Sequence, residues 1–168
     1  PSTSEELYYA VGGHPAFNVS QKARGDGELE FDQVSVQLLP EKEHVHLPLS
    51  AEGLINAAGA ESKKVSEIKL THESFADDAL IYEIDDLSEI VLKDAANEVQ
   101  IHVKPSNMKY VGIWSPYPKR AGFVCIEPWA GIADTADASG NYAEKLGINH
   151  LKPGQANEHG YGITFKKN

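Results

Sequence analysis

Short strand-like segments follow one another along nearly the whole chain, and no long helical pattern interrupts them. They fall at residues 7–11, 28–31, 34–39, 45–48, 67–70, 79–84, 89–92, 98–103, 110–114, 123–126 and 162–165. Several alternate by side: Val34, Val36 and Leu38 share one face, as do Val99, Ile101 and Val103. Turn signals such as Arg24-Gly25-Asp26-Gly27 and Lys104-Pro105-Ser106-Asn107 separate them. Only residues 50–58 and 141–146 read as short helices, the second closed by Gly147. No repeat, low-complexity tract or linker is visible. Many short strands with close turns predict an all-β chain, an antiparallel sandwich or part of one.

A chain of 168 residues is of ordinary single-domain size, and residues 1–168 are expected to form one domain. Its formal charge of -10 argues against nucleic acid or an anionic membrane as partner, because both attract basic patches. No apolar run approaches the length of a membrane span. The single cysteine, Cys125, excludes an internal disulfide and fits a reducing compartment, so a cytoplasmic location is expected. The chain opens on Pro1 rather than Met and reaches a strand almost at once; a processed product, an expressed fragment and the second part of a longer protein all fit that start, and composition does not choose between them.

One segment concentrates the chemistry. In Gly122-Phe123-Val124-Cys125-Ile126-Glu127-Pro128-Trp129 an apolar strand runs directly into a carboxylate. Pro128 is expected to end the pairing there, because it has no N–H to donate. A carboxylate at the mouth of a buried strand is costly unless it is paired, protonated or used. Two readings of Glu127 stand: a catalytic base, or a structural carboxylate bonded to backbone amides or paired with Lys119 or Arg120. A second segment, Gly12-Gly13-His14-Pro15-Ala16-Phe17-Asn18, follows the first strand. Its glycines allow close backbone approach and Pro15 stiffens it, so His14 reads as an aimed proton donor or as a loop histidine bonded to backbone.

Other groups carry less. His44 and His46 share one face of a possible strand, but no third ligand accompanies them, so no metal site is expected. His72, His102, His150 and His159 show no usable pattern. Asp77-Asp78 precedes the apolar Ala79-Leu80-Ile81-Tyr82 and reads either as a turn or as a carboxylate at a strand mouth. Trp114 and Trp129, at strand ends, suit core packing or stacking on a sugar ring. Cys125 reads as an inert strand residue. Serine-hydrolase elbows and nucleotide-binding glycine loops are absent from the sequence.

Taken together and in order, the two segments resemble the aldose 1-epimerase family, and more narrowly its galactose mutarotase-like branch. Gly12–Asn18 and Ile126-Glu127-Pro128-Trp129 carry the resemblance. Residues 75–82, Ile113-Trp114-Ser115, Gly131-Ile132-Ala133-Asp134 and Leu151-Lys152-Pro153-Gly154-Gln155 support it. The resemblance implies a large antiparallel β-sandwich of the supersandwich type, of which this chain is the C-terminal part. It also implies His14 as general acid and Glu127 as general base, with Asp78, Asn18 and Trp129 as sugar contacts; the adjacent Asp77 leaves the aspartate register open. The family's N-terminal strands, with an arginine and a further histidine of the sugar site, have no counterpart here. The resemblance leaves three readings of this: a separate partner chain carries that half, this chain is a fragment, or the site is incomplete.

The function so implied is interconversion of the α and β anomers of a hexose, with no cofactor. It needs one acid and one base on opposite sides of a sugar, which two well-separated motifs can supply. Two alternatives are a carbohydrate-binding sandwich without turnover, and glycoside hydrolysis using Glu127 and Asp78.

Overall fold

The computed structural model describes residues 4–167; Pro1 lies outside them. Strands supply nearly all of its regular structure. In chain order the strands are β1 (Leu7–Tyr9), β2 (Val11–Gly12), β3 (Ala16–Asn18), β4 (Gln21–Ala23), β5 (Leu29–Phe31) and β6 (Val34–Leu39). Then come β7 (Lys42–His46), β8 (Glu61–Val65), β9 (Ile68–Lys69), β10 (Leu80–Glu83) and β11 (Glu89–Asp94). The last five are β12 (Val99–Ser106), β13 (Tyr110–Trp114), β14 (Phe123–Ala130), β15 (Asn149–Leu151) and β16 (Gly160–Lys167). Single 3-10 turns at Ala57–Gly59 and Tyr142–Glu144 replace the two short helices expected there, and a third lies at His72–Phe75. No helix among the described residues is long and apolar enough to cross a membrane.

Two antiparallel sheets face each other. One has seven strands in the order β2-β14-β13-β10-β7-β8, with β3 also on β14; the other has five, β16-β12-β11-β6-β9. Alternation along each strand decides what lies between them. Val36, Leu38, Ile90, Leu92, Ile101 and Val103 of the five-stranded sheet meet Tyr82, Val111, Ile113, Val124 and Ile126 of the seven-stranded sheet in one buried cluster. Each such side chain contributes about 1.5–3 kcal/mol on burial. The register keeps the rows aligned, with Ile90 opposite both Leu38 and Val103, and Leu92 opposite both Val36 and Ile101.

The other face of the seven-stranded sheet carries a smaller cluster: Leu47, Ile55, Ile81, Tyr110 and Ile132, with Trp129 packed against it. This outer face is where the candidate site forms.

Two departures from expectation have physical causes. Pairing does not stop at Pro128: β14 continues to Ala130, with Val111 opposite Pro128 and Tyr110 opposite Trp129. The Pro128 carbonyl accepts a bond from the Gly13 N–H at 3.0 Å, so the missing Pro128 N–H would have pointed the same way, toward Gly13. The ladder to β13 is untouched. Strand β16 departs differently. Its register places Ile163 opposite Val103 and Phe165 opposite Ile101, on the core-facing side. Yet Ile163 is 38% exposed and Phe165 66%, so the sandwich is open along this edge.

Candidate active site

Strand β14 sorts its residues by side. Val124 and Ile126 enter the core, which leaves Cys125, Glu127 and Trp129 on the outer face. Strands β2 and β3 both run antiparallel to β14 in one register: Gly12 opposes Trp129 and Ala16 opposes Cys125. Carried across the three residues between them, that register puts His14 directly opposite Glu127. The Gly13 N–H bond to Pro128 and an Ile126 N–H bond to the Pro15 carbonyl at 3.2 Å hold it. Directly opposed residues share a face and touch. His14 Nε2 lies 3.3 Å from Glu127 Oε1. The two motifs, expected to reach a sugar from opposite sides, instead meet side by side on one sheet.

The partners differ in environment. The Glu127 side chain is 6% exposed and that of His14 61%. Burial pushes the Glu127 carboxyl up to about 6, and the Asp78 charge adds to this; His14 and a hydrogen bond from the Trp129 indole N–H act in the opposite direction. Burial likewise pushes the Cys125 thiol up to about 11, with the neighbouring Glu127 contributing. At neutral pH Cys125 is therefore a thiol rather than a nucleophile.

Around this pair is a cavity of about 530 Å³, lined by His14, Asp78, Trp114, Glu127 and Trp129 among mostly apolar neighbours. His14 meets the Trp114 ring edge-on at 5.9 Å. Asp78, at φ 72°, occupies the left-handed region at the end of a turn closed by its own N–H to the Phe75 carbonyl at 3.1 Å. It lines the cavity, whereas Asp77 is not among the lining residues. Asn18 is not among them either. It pairs with Phe123, four residues along β14 from Glu127, or about 13 Å of extended strand. Arg120 does not reach Glu127: it bonds Glu28, Glu30 and Glu73 instead. His44 is buried, and its Nδ1 bonds the Glu83 carbonyl at 3.3 Å.

Two glycines seat Trp129: Gly12, read in the sequence as allowing close backbone approach, and Gly112, which was not read. A Cβ at Gly12 would stand 2.5 Å from Trp129 Cδ1, and one at Gly112 2.5 Å from Trp129 Cη2. Their bare backbones let the indole lie flat across β2, β14 and β13, where it forms the cavity floor beside Glu127. A lone glycine within the apolar run Tyr110–Trp114 is the available signal, since a strand glycine often marks close approach. The cavity wall Gly131-Ile132-Ala133 comes from the segment that follows β14. Among the described residues, His14, Cys125 and Glu127 offer one ligand atom each within 4.8 Å of one another, while His44 and His46 join no such group.

The antiparallel sandwich that carries the His14–Glu127 pair has the galactose mutarotase-like fold, as its match to solved structures shows. Over 98% of its length the chain matches a galactose mutarotase-related enzyme from Lactobacillus acidophilus, at 34% identity and a TM-score of 0.80, covering 52% of that chain. It also matches a galactose mutarotase-like protein from Lactobacillus casei over 97% of its length, at 26% identity and a TM-score of 0.83, covering 55% of that chain. A galactose mutarotase-like protein from Clostridium acetobutylicum, 18% identical with a TM-score of 0.58, shares the fold. The chain thus spans about half the length of the proteins it resembles. No protein-family model matches it, and no curated protein matches it in sequence.

Proposed function

We propose that this chain carries the acid–base centre of an aldose 1-epimerase acting on a hexose. The observation that carries the reading is the 3.3 Å contact between His14 Nε2 and Glu127 Oε1 inside an apolar cavity. The two oxygens that exchange protons in anomer interconversion, the C1 hydroxyl and the ring oxygen, are bonded to the same carbon. An acid and a base side by side therefore match them.

Glu127 as carboxylate takes the proton of the C1 hydroxyl while His14 gives one to the ring oxygen, and the C1–O bond to the ring breaks. Rotation about C1–C2 turns the other face of the aldehyde toward the oxygen, and reversed transfers close the ring. A carboxyl near 6 is ionised at neutral pH yet more basic than an ordinary one, as a general base should be. The cavity volume suits a small ligand. Asp78 supplies an acceptor for sugar hydroxyls and the Trp129 face a stacking surface. The open β16 edge is completed, in this reading, by further strands from a longer chain or a second one.

Polarimetry of mutarotation, on the protein with its remaining sandwich strands and on its Glu127→Gln variant, tests the assignment. The variant should lose roughly 10²–10⁴-fold in rate. An undiminished rate overturns the base. Saturable sugar binding with no faster anomer exchange in the parent protein would instead identify a carbohydrate-binding sandwich without turnover.

A further inference from the structure

Cys125 has no part in that chemistry, yet it is fixed beside both groups that do. Cys125 and Glu127 are two residues apart on one strand and share its outer face, while His14 faces Glu127 from the neighbouring strand. A thiol, an imidazole and a carboxylate are the three side-chain types that bind zinc. Zinc's bond lengths of about 2.0–2.3 Å in a tetrahedron require donor atoms roughly 3.3–3.6 Å apart. His14 Nε2 and Glu127 Oε1 are already 3.3 Å apart, and all three donors lie within 4.8 Å of one another. The widest separation in the set therefore exceeds the tetrahedral spacing by about 1.2 Å at most, and His14 is its exposed member.

We propose that His14, Cys125 and Glu127 form a three-ligand site for a thiophilic divalent cation, with Zn²⁺ as its representative. The fourth position faces the cavity and is filled by water or by a ligand oxygen. Binding releases the thiol proton to solvent and leaves a thiolate on the metal. Hard cations such as Mg²⁺ are excluded, because they need oxygen donors and keep their own water. A bound metal occupies the His14 and Glu127 lone pairs, so on the epimerase reading above it silences the acid–base pair. The metal site itself stands whether or not that reading holds.

The test is isothermal titration calorimetry of ZnCl₂ into chelator-stripped protein, alongside the Cys125→Ala and His14→Ala variants, with MgCl₂ as control. The expected result is one Zn²⁺ per chain and no binding heat with Mg²⁺. Affinity should fall in each variant by at least the roughly 10- to 100-fold that loss of even an outer-shell partner costs. With Co²⁺ in place of Zn²⁺, a thiolate-to-metal charge-transfer band should appear in the parent and vanish in Cys125→Ala. His14→Ala alters an exposed side chain, so a misfolded Cys125 variant would not decide the outcome. Absence of stoichiometric binding, or binding unchanged in both variants with no thiolate band, overturns the proposal. Zinc binding by a protein that shows no mutarotase activity even when stripped of metal would remove the epimerase reading and leave the metal site.

Discussion

Glu127 is a carboxyl that burial opposes and three neighbours tune. Raised from an ordinary value of 4.5 to about 6, it holds its proton more tightly in the folded protein than in the unfolded one. The unfolded state then binds fewer protons over that interval, so stability is greatest below the ordinary value and falls as pH climbs from about 4.5 to about 6. The loss is of the order of 2 kcal/mol. Glu127→Gln is expected to be more stable than the parent by about that amount at pH 7.5 and little different at pH 4, by urea denaturation with chelator present. A gain of the same size at both pH values would remove burial of the charge as its cause. Trp129 makes the complementary prediction. Trp129→Phe keeps an aromatic floor but removes the N–H given to the carboxylate, so on the proposed epimerase reading the acid limb of kcat/KM should move upward from about 6. The types of these residues were legible in the sequence; their contact was not, because register is a property of paired strands rather than of either strand alone. Asp78 shows the same limit. Only the turn from Phe75 decides which of two adjacent aspartates lines the cavity.

At the scale of elements, β14 and its neighbours act as a ruler that fixes what faces what. Two kinds of strand could be read to the residue: β6, which alternates in sequence, and β13, which is a continuous apolar run. Strand β8, Glu61-Ser62-Lys63-Lys64-Val65, could not. Its first four residues are polar and exposed, and it is held by its pairing with β7 and by Val65 in the core. Strand β3 was hidden for a different reason: at three residues it lies within what reads as a motif loop, and only β14 makes it a strand. Gly112 shows how strictly the ruler acts. In Gly112→Ala the new Cβ meets the far edge of the Trp129 ring at 2.5 Å, in a sheet that cannot widen. Overpacking of this kind costs typically 1–3 kcal/mol, and the indole must lift into the cavity it floors. The expected outcome is a lowered denaturation midpoint with a shifted tryptophan emission. An unchanged spectrum would mean that the ring is not seated on that glycine.

For the whole molecule, the two sheets enclose a core that is complete at its centre and open at β16. Ile101 and Phe165 are opposite one another in the same row, yet Ile101 is 5% exposed and Phe165 66%. A pattern of alternation predicts both to be inside, and sequence reading has no means of telling a covered row from an uncovered one. Energetics can. Truncating a covered side chain costs its transfer energy and a cavity, so Ile101→Ala should destabilise this chain by about 2–5 kcal/mol. Phe165→Ala removes a ring that water already reaches, along with its edge contact to Phe17 at 6.2 Å. Its cost here should stay below about 1 kcal/mol. If further strands close the sandwich over β16, the same substitution in the longer protein should cost about 3–5 kcal/mol, the range for a buried phenylalanine. Urea denaturation of both variants, in this chain and in the longer one, measures the difference. Equal, small losses for Phe165→Ala in both would show that the β16 face stays in water and that the sandwich closes elsewhere.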